Sequence, residues 1–296
     1  MTEEEEYIET LEQNVEEIDE VFTPSAEPHP NVQSASSHDS VSPQVQAMYV
    51  QLGKILHTFR GGKLPKAIKM LATEKKIKNW LELLFLTNPY EWSLDALLAI
   101  THIFQHFGSV KRNTIYNEKV MLEYVLELVE SDKKISKNIF EVFLIAGRTP
   151  QSFLVGFLIP LARESSCSRK TAKFICELMD HVKLSNTYAN VFVEKLMKFD
   201  KTNTVTLFIS KIISRSFALT ISSIDAIYSY FLSFQGEEDK MNLLWNKTLL
   251  EFVQKYGKNL LVEQREGIIE LIQINQTQEI CKQTIDILNQ LSDNDK

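Results

Sequence analysis

Three groupings in this chain combine residue types and spacings that could do chemistry. Gly61-Gly62-Lys63 offers the glycine and lysine of a phosphate-gripping loop. Such a loop also needs a glycine five positions before its last one, to turn the backbone around the phosphates. It needs a Ser or Thr after the lysine to meet the metal. Those places hold His57 and Leu64, so the triplet reads as a glycine hinge before a basic helix. His102 and His106 lie four apart, the spacing of two metal ligands on one helical face. No third ligand is nearby, and the glutamate of a zinc-protease helix is missing. They read as ordinary helix histidines. Cys167, Cys176 and Cys281 form no CxxC pair. Their odd number argues against a disulfide framework and for a reducing compartment, and Cys167 and Cys176 read as small core residues. Nucleophile-elbow, kinase and dinucleotide motifs are also absent from the sequence. The expectation is a protein that is not an enzyme, with no catalytic residue, no metal, no cofactor and no small-molecule substrate.

The more informative chemistry is charge. The formal net charge of −7 averages over a sharp split. No Lys or Arg occurs before Lys54, and residues 1–53 hold 12 Asp and Glu. Residues 54–78 then carry Lys54, Arg60, Lys63, Lys66, Lys69, Lys75, Lys76 and Lys78 against Glu74 alone. Such asymmetry points to nucleic acid or another charged partner. On helical geometry Lys63, Lys66 and Lys69 lie near one face, with Pro65 in the opening turn. Lysine meets phosphate as a point charge and reads no bases, so the strip predicts salt-sensitive backbone contacts with structured RNA. A plain solvated face is the competing reading. The aromatics of the body fall at core spacing and do not read as a base-stacking platform.

These residues must be positioned by helices. From about Gln46 onward the pattern is helical almost without interruption, and no segment alternates with period two for long. Met121, Tyr124, Val125 and Leu128 share one face. So do Ile135, Ile139, Val142, Phe143 and Ala146; Ile224, Ile227, Tyr228 and Phe231; and Trp245, Leu249, Phe252, Val253 and Tyr256. Ser93 and Thr149 are expected as N-caps, the latter before Pro150 at the first helical position. Gly108, Gly147 and Gly236 are expected at helix ends. Pro160 is expected to kink or end its helix. Roughly a dozen one-sided helices with short connections predict an all-α fold. The expected architecture is an irregular, HEAT-like α-solenoid of stacked helical hairpins, with an irregular bundle as the alternative.

The division expected is an acidic, mostly disordered tail over 1–45 and an α-helical domain over 46–296. Four of the eight prolines and many serines fall within 23–44, the composition of a disordered linker. Upstream, Ile8, Leu11, Val15, Ile18 and Phe22 are spaced as one narrow helical stripe. They read either as part of a solubilising tail or as a short amphipathic helix that folds on a basic, apolar groove of a partner or on this chain's own basic segment. The acidic N-terminus lacks the marks of a signal or transit peptide. The longest apolar run, 153–162, contains Pro160 and is too short to span a bilayer. A soluble, intracellular protein with no membrane partner is expected.

Longer stretches carry a resemblance. GKLPKAIK, with NWLELLFLTNPYEWS following it, resembles the bystin family of small-subunit ribosome assembly factors. RTPQSFLVGFLIPLARESSCSRKTA (148–172) looks like that family's Pro-x-x-Phe, Leu-Pro-Leu and Cys-Ser/Thr-x-Arg/Lys region. Residues 204–234 are similar to its segment before the last helices, and 243–272 to its C-terminal signature. Four blocks in the right order cover about 54–274. The resemblance implies an α-helical repeat fold, no catalysis, and a role in maturing small-subunit (40S) rRNA. It implies work in the nucleolus and nucleus, with passage to the cytoplasm on precursor particles. The implied partners are precursor small-subunit rRNA, small nucleolar RNA, ribosomal proteins and other assembly factors of the pre-40S head. An α-solenoid protein–protein scaffold without a direct rRNA role is the alternative.

Overall fold

A computed structural model describes residues 42–130, 137–163, 168–237, 241–273 and 279–294. Among them there is no strand, and the chain is all-α. Residues 48–296 form one compact unit. The helices, in order, are α1 (Pro43–Thr58), α2 (Lys66–Thr73), α3 (Trp80–Phe85), α4 (Leu94–Phe107), α5 (Val110–Tyr116), α6 (Glu123–Glu130), α7 (Lys137–Ala146) and α8 (Pro150–Phe153). There follow α9 (Ile159–Arg163), α10 (Arg169–Met179), α11 (Asn186–Leu196), α12 (Asn203–Ser214), α13 (Ile221–Leu232), α14 (Leu243–Tyr256), α15 (Val262–Gln273) and α16 (Glu279–Asn294).

Short polar residues start these helices. Ser93, Ser109, Ser168, Ser185, Thr202 and Thr220 each accept from the backbone N–H three residues on, and Asn242 accepts from Leu244 and Trp245. Each such cap satisfies an otherwise orphaned donor and is worth about 1 kcal/mol. Thr149 departs from its expected role. Pro150 does open α8, but Thr149 makes no cap bond. Its hydroxyl is drawn off by the Gln105 side chain and the Ala146 carbonyl.

Pro160 also departs from expectation. The helix is widened and not ended. α8 runs through a π segment, Leu154–Leu158, into α9, which contains Pro160. A π turn re-registers the backbone bonds, which lets the chain absorb a residue that has no N–H to give. A second π segment, Asn117–Leu122, joins α5 to α6, and the two π segments pack on each other. Gly156 permits the close approach of its π segment to α5, because a Cβ there would stand 2.2 Å from the Thr114 carbonyl oxygen.

The apolar stripes face inward as the periodicity predicts, apart from Leu128 and Ile135, whose side chains lie outside the described residues. Phe143, Phe153 and Phe157 form one aromatic cluster, with centroids 5.1–6.5 Å apart. Trp245 packs on Phe231 at 5.4 Å. Among the described residues no single helix is long and apolar enough to cross a membrane.

Consecutive helices alternate between two rows. α10, α12, α14 and α16 pack one against the next, and so do α9, α11, α13 and α15. Nearer the start, α2 packs on α4, and α4 on α7. This arrangement puts α2, the basic helix, beside the C-terminal end of α4 and the start of α5.

Candidate nucleic-acid interface

All eight basic residues of 54–78 are exposed. Lys54 lies on α1 and Arg60 just beyond it. Lys63 lies in the link to α2, Lys66 and Lys69 on α2, and Lys75, Lys76 and Lys78 in the turns that follow. Lys69 apart, none of their side chains makes a hydrogen bond, ion pair or ring contact with a described residue. Uncompensated charge of one sign on a single segment repels itself, and a polyanion relieves that repulsion.

The geometry of the lysines differs in one respect from helical spacing. Gly61 and Gly62 have φ of 135° and 101°, a region that residues with a Cβ rarely adopt. Pro65 is then the N-cap of α2, at φ −54° and ψ 137°, and not part of its first turn. Lys63 therefore precedes the helix and does not share the face of Lys66 and Lys69. The hinge reading of the glycines fits this backbone, and a Cβ at either would meet open space.

The segment is held from outside. The Tyr49 hydroxyl donates to the Ala67 carbonyl at 3.3 Å, tying α1 to α2. His57 Nδ1 donates to the Glu91 carbonyl at 2.6 Å, and Ser93 closes the end of α1 through the Leu56 and Phe59 carbonyls. Arg112, on α5, does most for the lysine turn. Its guanidinium donates to the Leu71, Glu74 and Ile77 carbonyls at 2.6, 2.8 and 3.0 Å. It also lies 5.5 Å from the Trp80 ring centroid. Burial pulls the guanidinium below its usual pKa, and the Glu74 carboxylate opposes that shift. Arg112 thus gathers carbonyls of a helix end and of the turn carrying Lys75, Lys76 and Lys78.

Other cations have similar tasks elsewhere. Arg215 donates to the Met179 and Val182 carbonyls beyond α10. Lys255 donates to Ile213 and Ser214 at the end of α12, and Lys201 to Ser233 after α13. Arg265 donates to the Gly257 carbonyl after α14. Helix C-termini attract cations through unsatisfied carbonyls and the helix dipole. With Arg112, five of the 24 Lys and Arg outside 54–78 are thus used by helix ends.

The remaining candidates are quiet. His102 and His106 are exposed, and no cluster of metal-ligating side chains exists among the described residues. Cys176 and Cys281 are buried, and burial pushes the Cys281 thiol up, away from a nucleophilic thiolate. A pocket lined by Leu97, Met121, Tyr124, Val125, Ile139, Val142 and Phe143 exposes no polar atom. Cys167 and the tail residues Ile8, Leu11, Val15, Ile18 and Phe22 lie outside the described residues.

Sequence reasoning missed Arg112 and Phe107. The partners of Arg112 are backbone carbonyls, which no residue type announces. Phe107 sits at core spacing in α4 yet is 46% exposed, with the Lys69 ammonium 3.9 Å from its ring centroid. It is the last residue of its helix and overhangs the core.

Comparison with known proteins agrees with the resemblance. The family model for bystin matches residues 2–296. A bystin of Nematostella vectensis is 28% identical over 248 residues, covering 82% of this chain and 57% of its own length. A bystin of Dictyostelium discoideum is 28% identical, covering 79% of this chain and 49% of its own. A Schizosaccharomyces pombe protein without a functional name is 27% identical over 262 residues, covering 86% and 54%. The chain spans about half the length of the curated relatives it matches. An all-α domain with a hinged basic segment and a family model matched almost from end to end leave one assignment: the chain belongs to the bystin family.

Proposed function

We propose that the protein is a non-enzymatic assembly factor of the small ribosomal subunit. It binds precursor rRNA electrostatically through residues 54–78 and contacts ribosomal proteins and other assembly factors through the rest of its helical surface. The observation that carries this reading is membership of the bystin family. The unpartnered cations of 54–78 supply a physical means of holding rRNA backbone. The two alternating rows of helices are read as a HEAT-like solenoid, whose long surface suits several partners at once. Work in the nucleolus and nucleus, followed by passage to the cytoplasm on precursor particles, belongs to the same proposal.

The test is sedimentation of the protein with precursor ribosomal particles, together with probing of precursor rRNA after depletion. Co-sedimentation and accumulation of unprocessed small-subunit rRNA are expected. Normal maturation after depletion rejects the reading.

A pure protein scaffold draws on a different surface. Ile221, Leu261 and Val262, at the starts of α13 and α15, are 73%, 65% and 46% exposed. The Gln264 amide donates to the Asp225 carboxylate at 2.8 Å and holds those helix starts together. Substitution there, and not in 54–78, disrupts assembly if that reading holds.

A further inference from the structure

Among the described residues the exposed aromatic side chains are Phe85, Tyr90 and Phe107. All three lie in the stretch that immediately follows the basic segment. Phe85 and Tyr90 occupy each other, with ring centroids 6.2 Å apart, and the Tyr90 hydroxyl donates to the Lys119 carbonyl at 3.1 Å. Phe107 is different. The Lys69 ammonium sits 3.9 Å from its centroid, and the edge-on His106 ring is 4.5 Å away. Met70 and Val110, both exposed, flank the pair in sequence.

A solitary exposed phenylalanine is ordinary surface. A flat π-surface held against an ammonium, within a strip of unpaired cations, matches a nucleotide. The ring offers stacking to a base, and the lysine offers charge to its phosphate. An acidic peptide would satisfy the lysines but would bring no planar group for the ring.

We infer that Phe107 and Lys69 form a nucleotide subsite that takes one unpaired base of a structured RNA, with Lys66 meeting a flanking phosphate. The inference rests on the reading of residues 54–78 as an RNA surface. Stacking on an aromatic ring tolerates any base, so the subsite recognises an unpaired base and not a sequence. The lysines alone would bind paired and bulged RNA alike.

The experiment compares two RNA hairpins, one fully paired and one with a single bulged adenosine, on the full chain at fixed salt. Wild type should prefer the bulged hairpin by about tenfold. Phe107→Leu keeps the apolar bulk and should erase the preference. Phe107→Trp should retain it. A preference surviving in Phe107→Leu overturns the subsite, and so does equal binding of both hairpins by wild type. A glutamate-rich peptide that binds wild type more tightly than either hairpin overturns it too. If wild type binds neither hairpin, the RNA reading of the whole strip falls, and the subsite falls with it.

Discussion

Arg112 and Arg215 stand far apart in the chain and do similar work. Each spans from a later element to the carbonyls at the end of an earlier helix, α2 or α10. Each lies near an aromatic ring, Trp80 at 5.5 Å or Phe217 at 4.9 Å. Burial lowers the pKa of both, and one carboxylate opposes that shift in each case, Glu74 or Asp180. The turns they hold are nevertheless unlike. The turn after α2 presents Lys75, Lys76 and Lys78 to solvent without partners. In the turn after α10, Asp180 pairs with Lys211, and His181 meets the Phe140 ring edge-on at 6.0 Å. The clamp deals with a problem common to helix ends and is indifferent to the charge it displays. Three lysines stand open in the first turn, against Lys183 alone in the second.

The strongest way to break this comparison is to reverse the open charge. Lys63, Lys66 and Lys69 changed together to Glu should lower affinity for precursor rRNA about 100-fold or more. The slope of log affinity against log salt should shrink by about two to three. The same change at Lys183, Lys198 and Lys258, which are also exposed, should move neither quantity much. Filter binding across a salt series reads both. Equal losses in the two triples would show that total charge matters and the strip does not.

The clamps come next. Arg112→Met keeps the stem but takes away three donated hydrogen bonds, the Glu74 carbonyl keeping the Ile77 N–H, and should cost about 2–4 kcal/mol in denaturant unfolding. Arg215→Met takes away two donated hydrogen bonds, the Val182 carbonyl keeping the Leu184 N–H, and should cost somewhat less, about 1–3 kcal/mol. The distinguishing readout is hydrogen exchange with RNA binding. Arg112→Met should expose amides of 74–79 and weaken RNA binding, whereas Arg215→Met should leave binding intact. Weakened binding in both would merge the two clamps into one general effect on stability.

A smaller pair of effects tests what the regions share. The buried hydroxyls of Thr101 and Tyr116 meet at 2.8 Å, and those of Thr206 and Tyr230 at 2.6 Å. Thr101→Val and Thr206→Val should each cost about 1–2 kcal/mol, because a buried phenol loses its partner.

Alkaline pH gives the mildest test. Burial raises both tyrosines, Tyr230 up to about 12, while the threonine hydrogen bonds oppose the shift. A folded pKa above the unfolded value of 10.0 means that the folded state favours the neutral phenol. The associated stability is complete below pH 10 and falls as pH rises toward 12, by about 1.4 kcal/mol per pH unit for each tyrosine. Melting curves between pH 8 and 11.5 should be flat in this contribution and then decline, less steeply in Tyr230→Phe. A decline that begins below pH 9 would mean another group controls it.

Much of the fold was legible because helices advertise themselves locally. Stripes such as Trp245, Leu249, Phe252, Val253 and Tyr256 must be buried on one side, and Ser93 or Asn242 must answer nearby N–H groups. Those rules act within a few residues. Thr149 and Pro160 escaped them through tertiary competition. One hydroxyl found a better acceptor across the core, and one helix widened to keep its place against another. The basic strip was legible as charge, but its geometry was not. The backbone of Gly61 and Gly62 takes Lys63 off the helix.

By itself, the sequence determined that the chain is helical, where most helices begin, that positive charge gathers in 54–78, and which family it belongs to. These follow from neighbouring residues and from order along the chain. Only the tertiary structure decided which cations are spoken for and which stand open. Arg112, Arg215, Lys201, Lys255 and Arg265 look no different in sequence from Lys66 or Lys76. Their partners are carbonyls, in most cases more than thirty positions away. A carbonyl belongs to every residue alike, so a cation's use is settled only when packing brings a helix end within its reach.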